Sequence, residues 1–342
     1  MFNNVDKKLK NTLNKQEVIP LTVRQTLDET YDSIRNQKRK RKRSVNRTGL
    51  IAAAASTFLI IGFAVSNDTV MAGINKFINF GDKGIEQAAV NGFIQDSDSW
   101  ATDQGINITL ESHFSDANKL GLSFQMEFED PSMLLNTADV SMDYRLKNGD
   151  GEYIDEFIPD TKPLKGDASY ISGSTHQNPW LDSKTGRVQY DVVAESNEGA
   201  IPPLKNAVIE IESINVFSNT GELVKIDGTW NLSVHNKEKS NRTATFTMQN
   251  ESSVIQVSNA TANPTSLNVS FAVGGIYEDE NTFAEMKILD DKGNEYETNG
   301  FTKKTKNNQT IISANFPITS FSDSKKLMLM IEGIGEVELV KN

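Results

Sequence analysis

No charged residue occurs between Thr48 and Ser66, and the residues just before that gap are strongly basic. From Leu50 to Val65 the stretch is apolar apart from Ser56, Thr57 and Gly62. As a helix it reaches about 24 Å, a little short of the roughly 30 Å hydrocarbon core of a bilayer. Thr48, Gly49, Ser66 and a snorkelling Arg47 supply the difference. A buried core helix fits a run of this length equally well, so the flank decides. Lys38, Arg39, Lys40, Arg41, Lys42 and Arg43 are consecutive, and Arg47 follows. Positive charge beside a single apolar helix holds that side in the cytoplasm, against anionic headgroups. A nuclear-localisation or nucleic-acid patch is the rival reading of the basic run. The expectation is one transmembrane helix over 48–67, N-terminus cytoplasmic and C-terminal region extracellular, with no direct nucleic-acid contact.

A secretory signal peptide has the same order of basic, apolar and small residues. Ala64-Val65-Ser66 and Val70-Met71-Ala72 both resemble cleavage sites. The segment before the apolar run is far longer than a usual n-region, so an uncleaved anchor is the better reading. Ser66 and Ala72 then mark candidate places for a regulated proteolytic release.

Charge divides along the same line. Residues 1–47 carry thirteen Lys/Arg against five Asp/Glu, whereas 67–342 carry 22 against 41. The chain has no cysteine, which excludes disulfide scaffolds, thiolate zinc sites, iron–sulfur clusters and cysteine nucleophiles. Its three histidines, His113, His176 and His235, are far apart in sequence and lack acidic or His partners at ligand spacing. A metalloenzyme or His-based triad is not expected.

Residues 1–47 form the expected cytoplasmic segment, too short for a large core of its own. Phe2, Val5, Leu9 and Leu13 recur at helical steps. After Pro20, Thr22 and Gln25 have capping-box spacing, and Val23, Leu27, Tyr31 and Ile34 then line one helix face. One reading is a juxtamembrane helix that packs on its neighbour or lies on the bilayer. The other is a helical surface covered by a protein partner, with those four residues as its anchors.

Residues 68–104 are read as a stalk with short helices, in which Val70, Ile74, Phe77 and Ile78 make a helical face that Gly81 ends. From Gly105 the period changes to two. Ile106, Ile108 and Leu110 alternate with polar residues, as do Leu120, Leu122, Phe124, Met126 and Phe128. Trp230, Leu232 and Val234 repeat the pattern, then Leu267, Val269, Phe271 and Val273. Leu327–Ile331 is apolar throughout and reads as a central strand. The expected fold class is therefore a mainly β ectodomain of two sandwich-like, Ig-like domains, at 105–236 and 237–342, beside the α-helical cytoplasmic segment and the span. A weak internal repeat supports the pair. Leu122–Phe128, Met142…Gly149 and Glu152-Tyr153 parallel Leu267–Val273, Met286…Gly293 and Glu295-Tyr296, and Ile209-Glu210-Ile211 parallels Leu329-Met330-Ile331.

No Gly-rich phosphate loop, nucleophile elbow or zinc-binding helix motif is present. Asn148, Asp150, Glu152 and Asp155 resemble a calcium loop without its first ligand, and Asp290, Asp291 and Asn294 suit a hairpin turn. No cofactor, metal or catalytic residue is assigned, and a binding or sensing region fits better than an enzyme.

The order of parts carries a resemblance. Val18-Ile19-Pro20 with Val23, Leu27 and Ile34 precedes a basic cluster and a single span. Gly105–Phe128, the Met142–Tyr153 hairpin and Gly228-Thr229-Trp230 follow. This resembles the Gram-positive membrane proteins that carry domain of unknown function four-one-seven-nine. The resemblance implies an anti-sigma factor, whose cytoplasmic helices hold an extracytoplasmic-function sigma factor while the outer region senses an envelope signal. The chain lacks the His and Cys of zinc-containing anti-sigma domains, so only a zinc-free kind applies. The alternative is a cell-surface binding or envelope-structural protein, for which residues 1–46 are only an anchor. The ligand of the outer region is not legible in the sequence.

Overall fold

The structure, a computed structural model, describes residues 77–158, 162–166, 170–235, 242–249 and 253–342. The expected span at 48–67 lies outside them. Among the described residues no helix is long and apolar enough to cross a membrane.

The described chain opens with a 3-10 turn, Ile78–Phe80, which Gly81 ends at φ +65°. Helix α1 (Lys83–Val90) follows, its N-terminus capped by Asp82, whose carboxylate accepts from Gly84 N and Ile85 N at 2.9 and 3.2 Å. The rest is mainly β. In the first sandwich, one sheet runs β1 (Gln95–Asp103), β2 (Ile106–Ser115), β3 (Lys119–Phe128), β8 (Arg187–Glu195), β6 (Gly173–Gln177), with β7 (Leu181–Asp182) also on β8. The facing sheet runs β10 (Leu223–Val234), β9 (Ala207–Ser218), β4 (Thr137–Lys147), β5 (Tyr153–Phe157). The alternating residues of β2 and β3 point into one core with Val140, Met142, Tyr144, Ile209, Ile211 and Trp230. Trp230 is fully buried, and its indole N–H donates to the Ile106 carbonyl at 2.9 Å, tying the two sheets together. The first sheet thus starts at Gln95, inside the stretch expected to be stalk, rather than at Gly105.

The second sandwich has the same plan. Its sheets run β11 (Ala244–Met248), β12 (Ile255–Ala262), β13 (Leu267–Gly274), β17 (Gln309–Phe316), β16 (Phe301–Lys306), and β15 (Glu295–Glu297), β14 (Lys287–Asp290), β18 (Lys326–Ile331), β19 (Gly335–Lys341). Apart from β7, which has no counterpart, each order reproduces that of the first sandwich. Here β11 joins the sheets, pairing with β12 through Ala244 and Thr245 and with β19 through Phe246–Met248.

The likeness extends to irregularities. The register of β2 on β3 slips between Leu110 and Ser112, opposite Phe124 and Ser123. That of β12 on β13 slips between Val257 and Asn259, opposite Phe271 and Ser270. Both repeats therefore place the bulge beside the same buried Phe. The turn bond Asp116 N to Lys119 O (2.9 Å) likewise matches Asn263 N to Ser266 O (2.8 Å). These equivalences align Phe124 with Phe271 and Asn148 with Asp290, two residues away from the pairing suggested by the sequence. An even shift keeps every side chain on its own face, so the hydrophobic pattern does not detect it.

Candidate functional site at the junction of the two sandwiches

Two corresponding turns meet. The β2–β3 turn of the first sandwich, Asp116–Asn118, faces the β12–β13 turn of the second, Asn263–Ser266. Asp116 is fully buried and accepts four hydrogen bonds. Its Oδ1 takes Asn118 N (2.8 Å) and Lys119 N (2.9 Å), and its Oδ2 takes Thr265 N (2.8 Å) and Thr265 Oγ1 (2.7 Å). One oxygen therefore shapes its own turn and the other grips the second sandwich. Burial pushes the Asp116 carboxyl above the usual carboxylate range even against those bonds. Asn118 Nδ2 donates to both Ser266 O and Ser266 Oγ at 2.9 and 3.0 Å. Asn268 Nδ2 donates to Asn197 O, and Asn315 Nδ2 to Ser196 O. The buried side-chain amides of Asn118, Asn268 and Asn315 thus find partners across the seam.

Helix α1 lies against this seam. A Cβ on Gly84 would stand 2.0 Å from the Thr265 carbonyl oxygen, so only glycine permits that approach. Thr319 Oγ1 donates to Gln87 Oε1 at 2.6 Å. The apolar side of α1, Ile85, Ala88 and Ala89, shares a small core with Phe77, Phe114 and Phe93, against which Val193 and Phe321 pack. Phe77 and Phe114 meet edge to face at 5.0 Å. The cap residue Asp82 pairs with Lys119, which is 4% exposed and also lies 3.7 Å from Glu195. Burial pulls the Lys119 ammonium down, but Asp82 and then Glu195 outweigh it and hold it above its ordinary value. Hence α1 touches both sandwiches at once.

A second polar cluster sits in the first sandwich, between β5 and β6. His176 stacks on Phe157 with ring centroids 4.0 Å apart, and its Nδ1 and the Tyr190 hydroxyl share a hydrogen bond of 2.6 Å. Burial lowers the imidazole to about 4. On the outer face of the other sheet, Arg145 is held by Glu156 and Glu212. Burial raises the Glu212 carboxyl, but Arg145 and Lys162 outweigh that and hold it at about 2. The signs give two separate windows. Neutral His176 costs nothing above pH 6.5; between 6.5 and about 4 the unfolded state takes a proton that the fold refuses, so stability falls. The Glu212 contribution is present above pH 4.5 and is lost as pH falls towards 2. Thermal melts from pH 7 to 4 should therefore show a falling Tm that His176→Phe flattens, and equal slopes would refute the assignment.

The calcium-like residues are committed elsewhere. Asn148 Oδ1 accepts Asp150 N and Glu152 N, and Asp155 accepts the Tyr144 hydroxyl at 2.5 Å. Asp290 Oδ1 accepts Lys292 N and Asn294 N, the same turn in the second repeat. Among the described residues no group of three or more His, Asp or Glu is placed to hold a metal ion. His113 is fully buried on β2, far from any such role. Val23, Leu27, Tyr31 and Ile34, the run Lys38 to Arg43 with Arg47, and Ser66 and Ala72 all lie outside the described residues. The junction itself escaped the sequence reading, since Asp116, Asn118 and Thr265 look like ordinary turn residues. Their signal lies in the repeat, which places both turns at matching positions.

Residues 40–128 match the family described as Domain of unknown function (DUF4179). It is the family that the sequence resembles. The match takes in the basic run from Lys40, the uncharged stretch, α1 and β1–β3, and it ends at Phe128, the last residue of β3. It therefore includes the Asp82–Lys119 pair and the first-sandwich side of the junction. No curated protein matches the chain. A crystal structure of a conserved domain protein from Bacillus anthracis is similar at 17% identity, over 70% of this chain and 77% of that one, with a TM-score of 0.44.

Proposed function

We propose that the chain is a single-pass membrane signal transducer of the anti-sigma kind. Residues 1–47 hold a sigma factor in the cytoplasm, 48–67 cross the membrane, and the two Ig-like sandwiches sense an envelope signal outside. The observation that supports this reading most is the seat of α1. The first described helix after the expected span packs on both sandwiches, so a change in how they meet is a change at the segment leading to the membrane. A structural anchor has no need of such a seat. In sequence Ser66 stands at the C-terminal end of the expected span and Ala72 between the span and α1, which makes them the candidate places for a proteolytic release coupled to α1.

Partner binding rests on Val23, Leu27, Tyr31 and Ile34. Truncating an interface anchor to Ala commonly loses about 1–3 kcal/mol, or roughly tenfold to hundredfold in affinity. Leu27→Ala with Ile34→Ala should release a sigma factor from the full-length chain in co-purification and raise transcription of its target genes. The change Asp28→Ala, off the apolar face of the expected helix, should do much less. Equal recovery of the same partners by wild type and the double variant would favour the alternative, a cell-surface binding or envelope-structural protein with no sigma-factor partner.

A further inference from the structure

The end of the second sandwich opposite the junction carries an open groove of about 820 Å³, within the size range of ligand pockets. It lies where the chain enters β14 and where the β18–β19 turn folds over. Half-buried Met330 and Ile334 give it an apolar surface, with the core residues Met286 and Ile331 beneath. Its rim holds Glu285, Glu297, Glu332 and Glu336. Lys287 is the one basic residue of the lining, and it is already paired with Glu295 at 3.1 Å. Among the described residues no ion pair is recorded for the four rim glutamates.

The turn part of this rim differs between the repeats. The β18–β19 turn reads Glu332-Gly333-Ile334-Gly335-Glu336, whereas the corresponding β9–β10 turn reads Asn219-Thr220-Gly221-Glu222. The first turn carries one acid, Glu222, and no apolar residue, whereas the second sets Ile334 between two acids. Four carboxylates spread over three chain segments repel one another, and a single small cation leaves most of them unmatched. A ligand bearing several cations relieves that repulsion, and an apolar surface between the charges selects one that carries greasy groups as well.

We propose that this groove binds a cationic amphipathic peptide, its Lys or Arg side chains on the four glutamates and its apolar side chains on Met330 and Ile334. The inference stands apart from the anti-sigma reading, because it concerns binding at the second sandwich and not a cytoplasmic partner. The test uses the full chain in phosphatidylcholine nanodiscs, with empty nanodiscs as the baseline. The probe is a fluorescent peptide of alternating Lys and Leu, read by anisotropy. Wild type should bind it, more weakly as salt screens the rim. Glu332→Lys with Glu336→Lys should lose about tenfold or more in affinity, and the gentler Glu332→Gln with Glu336→Gln an intermediate amount. Both residues are exposed, Glu332 in the turn and Glu336 at the start of β19, so circular dichroism should be unchanged. A peptide of alternating Lys and Ser should bind more weakly than the Leu version, and one of Glu and Leu not at all. Equal affinity for wild type and the charge-reversed variant would overturn the proposal. So would equal binding of the Lys–Ser and Lys–Leu peptides, or self-association of the chain that excludes the probe.

Discussion

Phe124→Asp should unfold the first sandwich and leave the second standing. Phe124 is fully buried on β3, between Leu110 of β2 and Tyr190 of β8, with its ring centroid 6.3 Å from that of Tyr190. Its strand neighbours Leu110 and Tyr190 offer a carboxylate no cation. The change removes an aromatic payload and leaves an unsolvated charge or a strained protonated acid, together costing about 5 kcal/mol or more. That approaches the whole stability of an ordinary domain, about 5–15 kcal/mol. The three tryptophans, Trp100, Trp180 and Trp230, all lie in the first sandwich. Tryptophan emission therefore reports that unit alone, while far-ultraviolet circular dichroism reports both. Phe124→Asp should show unfolded-like emission without denaturant yet keep part of the β signal, because the second core is a separate cluster. Phe271→Asp, at the matching position, should do the reverse. Native emission from the Phe124 variant would mean that the inward face of β3 is misassigned.

How much of this the sequence discloses depends on which residues face apolar neighbours. The inward residues of β2, β3, β10 and β13 alternate with polar or small ones even where both faces are buried, as at Lys119–Phe124 of β3, so strand identity and core membership are legible. Leu327–Ile331, an unbroken apolar run, becomes β18, between β14 and β19 in its sheet. The repeat is legible too, but its alignment is fixed only to within an even step. The bulges beside Phe124 and Phe271 resolve that ambiguity, and a bulge leaves no compositional mark.

Strands whose partners impose them are not legible. β1 reads QDSDSWATD, and its half-buried face is Ser97, Ser99, Ala101 and Asp103, with Trp100 turned outward and 66% exposed. Without an apolar stripe it looked like stalk; hydrogen bonding to β2 makes it a strand. β16, with Lys303, Lys304 and Lys306, is an edge strand whose charges discourage further pairing rather than advertise a sheet. The junction fails for another reason. Asp, Asn, Ser and Thr in a turn have the same composition whether water or a second domain satisfies them, so burial of Asp116 is visible only in three dimensions.

Asp116→Ala should uncouple the two sandwiches. The substitution strands Asn118 N, Lys119 N, Thr265 N and Thr265 Oγ1 in a buried seam, at about 1–3 kcal/mol for each donor left unsatisfied. Relaxation and water entry keep the terms from adding, so a total of about 4 kcal/mol is expected. Asp116→Asn separates the two halves of the effect. Its carbonyl can still accept Asn118 N and Lys119 N, but its amide then faces Thr265 N, donor against donor. The Thr265 hydroxyl can turn to accept from that amide, so the turn survives and the grip on the second sandwich weakens, at about half the cost of the Ala variant or less. In wild type, with Asp116, Asn118, Asn268 and Asn315 bonded across the seam, denaturation followed by tryptophan emission and by circular dichroism should give coincident transitions. In Asp116→Asn the emission midpoint should part from the dichroism curve, which becomes biphasic. Lys119 offers the internal check. Its pairs with Asp82 and Glu195 hold the α1 cap to the first sandwich and do not depend on Thr265, so α1 should remain on the first sandwich in the Asn variant. Coincident transitions in both variants would show that α1 and the flanking Asn268 and Asn315 bonds carry the coupling without Asp116.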